Sequence, residues 1–79
     1  METTEIFGAI TPLFRDVLDI DDLELTPELT ARDVDEWDSL SHIRLIVAVE
    51  QALNIKFTTA EISTLANVGE FVELIGTKL

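Results

Sequence analysis

Apolar residues near the N-terminus recur at helical spacing: Ile6, Phe7, Ile10, Leu13, Phe14, Val17 and Leu18. The pattern predicts one helix over residues 3–18, with Thr3 or Thr4 able to cap its start. Pro12 removes a backbone donor inside that pattern and crowds the carbonyl of Gly8, so a bend there, or two shorter helices, is the expected cost. Residues 19–38 then read "DIDDLELTPELTARDVDEWD", a long acidic connection with scattered apolar anchors at Leu23, Leu25, Leu29, Val34 and Trp37. Within it, Thr26-Pro27-Glu28 has the chemistry of a cap, a first-turn proline and an early acid, which suits a short helical turn. Asp38 is an N-cap candidate for a helix over residues 39–53, "SLSHIRLIVAVEQAL". Its β-branched residues would also suit a strand, but its length and cap favour helix. Thr58 with Glu61 reads as a capping box opening a helix over 59–66. Asn67 with Glu70 repeats that signal before a last helix over 68–78. The expected architecture is therefore all-α, a small four-helix bundle with a long first loop.

Apolar residues surround most of the 39–53 helix, which suggests a central element covered on several sides. One line on it differs. Leu40, Arg44, Val47 and Gln51 follow each other at spacings of four, three and four, and so share a face. That mixture suits a solvent-facing contact surface and equally an ordinary mixed helix face.

Length and composition narrow the class. The chain has 79 residues, close to the lower limit for a self-sufficient core, and 47% of them are apolar. Residues 1–79 are read as one domain, and a start at Met1 with a closing helix suggests a free-standing protein. There is no cysteine, so neither a disulfide nor a thiolate metal site is available. That absence, with no membrane-length apolar run and an acidic rather than basic start, is consistent with a cytoplasmic protein. The net charge is −11, and it is uneven: residues 1–38 hold twelve Asp/Glu against Arg15 and Arg32. Such a field disfavours nucleic acid and anionic membranes, and steers the chain toward basic protein surfaces.

Candidate chemistry is sparse. The acids around Asp19–Asp22 and Asp33–Asp35 lack the ligand spacing and central glycine of a calcium loop, so no specific metal site is expected. Ser39 and His42 are three apart and can touch on a helix, which raises a hydrolytic pair. Asp38, however, points elsewhere around the helix, and Trp37 and Ser41 occupy the positions that glycines take at a nucleophile elbow. His42 is expected to pack half-buried or face water. Gly8, Gly69 and Gly76 are too scattered to cradle a phosphate. No catalytic apparatus is legible, so chemistry performed here must be carried by a borrowed group. Ser39, exposed at the positive end of a helix, is a suitable place for a phosphodiester.

The chain resembles the acyl carrier proteins, the free-standing phosphopantetheine-binding carriers. The resemblance rests on the first amphipathic helix, the acidic loop, "DSL" opening an apolar helix, "LNIKF" followed by "TTAEI", and the closing "NVGEFVELI". It implies a 4′-phosphopantetheine arm joined to Ser39 by a phosphopantetheinyl transferase that uses coenzyme A and Mg²⁺. The arm's thiol would hold an acyl or aminoacyl group as a thioester and present it to acyl-loading and acyl-processing enzymes. Asp38 would cap the helix and help placement during the transfer. Leu40, Arg44, Val47 and Gln51 would lie on the docking helix, and Ile46, Ile62 and Leu65 would line a shelter for the attached chain. The carrier would act as a monomer and would not itself be an enzyme.

Two departures from the family pattern stand out. The docking helix has only Arg44 and Glu50 as charged residues where carriers of fatty acid synthesis usually show several acids. Glu36-Trp37 also replaces a small Gly-Ala pair. Both suggest a dedicated carrier of a specialised lipid, polyketide or related pathway. Trp37 is either a core anchor or a partner contact. The alternative function is an unmodified helical scaffold or regulatory module; a small Ser39–His42 hydrolase is the remote third.

Overall fold

The computed structural model describes residues 2–79, and the elements among them are helical. They are α1 (Thr3–Leu18), a 3-10 turn (Ala31–Asp33), α2 (Ser39–Leu53), α3 (Thr59–Ser63) and α4 (Val68–Lys78). Helix α1 runs unbroken through Pro12, so the two-helix alternative does not hold. Around Gly8 there is open space, and the hydroxyl of Thr11 donates to the Phe7 carbonyl at 2.6 Å. The cap is neither Thr3 nor Thr4. Both fall inside the helix, and Glu2 is the cap, its N–H donating to Glu5 Oε1 at 3.2 Å.

Ile6, Ile10, Phe14 and Leu18 bury one stripe of α1 at steps of four. That stripe packs on both α2 and α4, whose inward residues include Leu45, Ile46 and Val49, and Phe71, Val72 and Ile75. The central element is therefore α1. Helix α2, expected to be the central element, keeps an uncovered side, because no element packs over Leu40, Ile43 and Val47.

The long loop is tied down at several points. Asp19 closes α1 in the left-handed conformation, and Arg15 Nε donates to the Leu23 carbonyl at 2.8 Å. Thr26–Leu29 makes a tight turn, with Leu29 N–H bonded to the Thr26 carbonyl. The helical turn expected at Thr26–Glu28 lies instead at Ala31–Asp33. There Asp33 Oδ2 accepts from the Thr30 N–H at 3.0 Å and from its hydroxyl at 3.2 Å. Carbonyls of Pro27 and Leu29 accept from Gly69 and Val68, so the loop satisfies otherwise unpaired donors of α4. A Cβ on Gly69 would lie 3.1 Å from the Pro27 oxygen, which explains a glycine in the first turn of that helix.

Helix α3 ends at Ser63 and not at residue 66, because the chain turns at Thr64 and extends toward the Asn67 cap. It buries no residue fully. Its attachments are the Thr58–Glu61 capping box and the Glu61–Lys78 ion pair at 3.0 Å, with the Lys78 ammonium also 5.6 Å from the Phe57 ring centroid. Asn67 Oδ1 accepts from Glu70 N–H at 2.9 Å as the sequence suggested.

Aromatic rings join these parts. Phe57 lies 5.6 Å from Phe71, Phe71 6.2 Å from Phe14, and Phe14 meets the Trp37 edge-on at 5.3 Å. Phe14 is fully buried at the centre of that series. Its truncation, Phe14→Ala, should cost about 3–5 kcal/mol, most of the stability of so small a fold. Urea unfolding followed by circular dichroism measures this, and a loss under about 1 kcal/mol contradicts the central role of Phe14.

Candidate functional site

The last loop residues and the first turn of α2 form one hydrogen-bonded unit. Asp38 has extended backbone geometry and its Oδ1 accepts the Ser41 N–H at 2.9 Å, which is the N-cap expected from sequence. Ser41 closes a second ring by donating its hydroxyl to the Glu36 carbonyl at 2.9 Å. The bond from the Ser41 backbone N–H is the main cause that holds the Asp38 carboxyl below its ordinary pKa. The carboxylate form of the cap is therefore favoured near neutral pH. Ser41 was not read as a site residue in the sequence, although the offset of three from Asp38 is the signal for a capped N–H.

Ser39 is the first residue of α2 and is exposed. Its hydroxyl takes no hydrogen bond among the described residues, in contrast to its neighbour Ser41. It borders an open groove lined also by Ala31, Trp37, His42, Ile62 and Leu65. Adjoining that groove is a partly open, mainly apolar cavity of about 70 Å³, walled by Phe14, Leu45, Ile46, Leu65 and Phe71 among others. Trp37 and His42 line both spaces and stand between them. Of the three residues expected to shelter a chain, Ile46 and Leu65 wall the inner cavity, whereas Ile62 lines only the outer groove. A cavity of that size holds about two waters, so a longer apolar chain enters only if its walls part.

Trp37 is half-buried and packs edge-on against Phe14, with its backbone N–H bonded to the Val34 carbonyl at 3.0 Å. Its indole Nε1–H donates to His42 Nδ1 at 3.2 Å, and the two rings lie stacked at 29° and 6.2 Å. This is a core anchor. The contact could not be read from a five-residue separation spanning a loop and a helix. His42 is half-buried, and burial holds its imidazole below the ordinary pKa. Since Nδ1 accepts from Trp37 and Asp38 binds Ser41, the groups do not form a Ser–His–Asp relay.

The stripe of Leu40, Arg44, Val47 and Gln51 is exposed along its full length. Leu40 is 59% exposed and Val47 43%, and Ile43 at 60% exposure adds a third apolar side chain to the same side. Ile43 was missed because the stripe was traced from Leu40 through the residue four on; the residue three on lies on that face too. Three large apolar groups side by side, flanked by one cation, are unusual on a solvent face this small.

Residues 8–75 match the protein family described as "Phosphopantetheine attachment site". An acyl carrier protein of Rubrobacter xylanophilus is 32% identical over 75 residues, covering 95% of this chain and 93% of the relative. The solution structure of holo acyl carrier protein from Geobacter metallireducens superposes with a TM-score of 0.86. It has 47% identity, and the overlap covers 91% of this chain and 83% of that one.

The pH dependence of the Trp37–His42 contact has a definite sign. A lowered folded-state pKa means that the unfolded chain takes up the His42 proton first as pH falls. The stabilisation from a neutral His42 is thus full above the unfolded value of about 6.5, and declines from there toward the lower folded value. In urea titrations, the stability difference between the wild type and His42→Gln should shrink from pH 7.5 to pH 5.5. A difference independent of pH contradicts this assignment.

Proposed function

The chain belongs to the acyl carrier protein family, carriers of phosphopantetheine-linked acyl groups that are not themselves catalysts, and on that premise we propose that Ser39 is the attachment residue. The supporting observation is the Ser39 hydroxyl itself: exposed at the first position of α2, without an intramolecular hydrogen bond among the described residues, and bordering an open groove. The backbone donors of the first turn and the positive end of α2 suit a phosphodiester there, and the groove walls suit an aliphatic arm. When bound, the arm supplies the thiol that this cysteine-free chain lacks, and a thioester on it is activated for acyl transfer.

The chain's own residues do the positioning. Asp38 and Ser41 fix the first turn, so the Ser39 oxygen is presented outward to the transferase. Trp37 ties that turn to the core through Phe14 and His42. Leu40, Ile43 and Val47, with Arg44 and Gln51 beside them, form the proposed face for the phosphopantetheinyl transferase and for acyl-loading and acyl-processing enzymes. Only Arg44 and Glu50 carry charge on α2, so apolar contact outweighs charge in docking, which favours a dedicated pathway over general fatty acid synthesis. We further read residues 1–79 as one carrier domain acting as a cytoplasmic monomer. No helix among the described residues is long and apolar enough to cross a membrane.

Incubation with a broad-specificity phosphopantetheinyl transferase, coenzyme A and Mg²⁺ should add one phosphopantetheine by intact mass, and Ser39→Ala should abolish it. No addition, or an addition that survives the substitution, overturns the assignment of Ser39 and returns the reading to an unmodified scaffold. In the same assay Val47→Asp should raise KM for the transferase about tenfold, as expected for a lost apolar contact of about 1.4 kcal/mol, with the urea midpoint unchanged. An unchanged KM removes Val47 from the docking face.

A further inference from the structure

The wall between the Ser39 groove and the inner cavity contains one polar side chain with an unused donor. His42 lines both spaces, and its Nδ1 is taken by the Trp37 N–H. A neutral imidazole that accepts at Nδ1 carries its proton on Nε2. Burial keeps the ring neutral, so Trp37 fixes not only the ring's position but also its tautomer. Among the described residues the His42 side chain makes only the Trp37 bond, which leaves the Nε2–H without a protein acceptor. Ala31, Trp37, Ile62 and Leu65 line the groove with side chains that offer no oxygen, and the oxygens of Asp38, Ser39 and Ser63 on the same lining make no hydrogen bond to the imidazole.

A donor set in such a wall has a preference. An aliphatic chain laid along the groove leaves the N–H desolvated and unpaired, whereas a chain with an oxygen at that point satisfies it. The spacing selects which oxygen. His42 is three residues beyond Ser39, so the two Cβ atoms lie roughly 5–6 Å apart on one helix face. A chain growing from the Ser39 oxygen passes His42 within its first few bonds, well before any cargo attached at its far end.

Resting on the assignment of Ser39, we infer that His42 is a positioning residue for the arm. Its Nε2–H donates to a hydroxyl or amide carbonyl oxygen in the segment nearest the phosphate, and this lays the arm in the groove against Trp37. The same contact gives Trp37 a second role. The indole anchors the loop to Phe14 on one side and sets the His42 tautomer on the other. Small residues before the "DSL" motif would provide neither.

The test uses full-length protein converted to the phosphopantetheine form, with complete conversion confirmed by intact mass, and compares it with the unmodified form by NMR at pH 7.5. The expected result is nuclear Overhauser contact between the arm's geminal methyl groups and the Trp37 ring, with a downfield shift of His42 Nε2–H, before any acyl group is attached. Both signals should vanish in His42→Phe, and the methyl contact should persist in His42→Gln, which restores a donor near the Nε2 position. Fully modified protein without these contacts, contacts that survive His42→Phe, or contacts that arise only after acylation would each overturn the inference. Failure of the mass addition would instead strike the Ser39 assignment, so the two readings fail separately.

Discussion

The edge-on contact between Phe14 and Trp37 is the constraint on which the arrangement around Ser39 depends. Phe14 is buried where α1 meets α4, and its position is fixed by the apolar stripe of the longest helix. Trp37 belongs to a loop with little regular structure of its own. By packing on Phe14 at one edge and bonding His42 at the other, it transfers the position of the core to the first turn of α2. Asp38 and Ser41 then close that turn locally. An exposed hydroxyl thereby sits on a well-held backbone, the combination that the proposed modification by a separate enzyme calls for.

Charge and apolar exposure are divided along the chain in a way that fits this role. The acidic residues concentrate in the first half, on α1 and above all in the loop that follows it, and give that half a strongly negative field. Helix α2 carries that face with only one cation and one acid along its length. On the proposed reading, long-range steering and close docking thus fall on different surfaces. Helix α3 walls one side of the Ser39 groove without a fully buried residue, held by a capping box, one ion pair and the partly buried Ile62.

What the sequence revealed follows the range of the interactions concerned. Helices α1, α2 and α4 were legible because amphipathic spacing and caps such as Asp38 and Asn67 act within one turn. The end of α3 was not, since Leu65 and Ala66 keep an apolar pattern while the chain is pulled extended toward the Asn67 cap. The 3-10 turn was misplaced from Ala31–Asp33 to Thr26–Glu28 because Pro27 gives a strong local signal, yet its carbonyl is engaged by Gly69 across the fold. At the site, the proposal of Ser39 rests on a family resemblance, whereas Ser41 and Ile43 were overlooked despite offsets of three that local rules could have used. The Trp37–His42 bond is a tertiary contact and had no local signature.

Backbone hydrogen exchange in a Trp37→Leu variant tests the central claim most directly. The Ser41 and His42 amides are donors in the first turn of α2, to Asp38 Oδ1 and to the Asp38 carbonyl respectively. If Trp37 holds that turn to the core, both amides should exchange faster in the variant, while those of Val72 and Ile75 in α4 keep their protection. Unchanged exchange at Ser41 and His42 would contradict the account and leave the Asp38 cap alone to position Ser39.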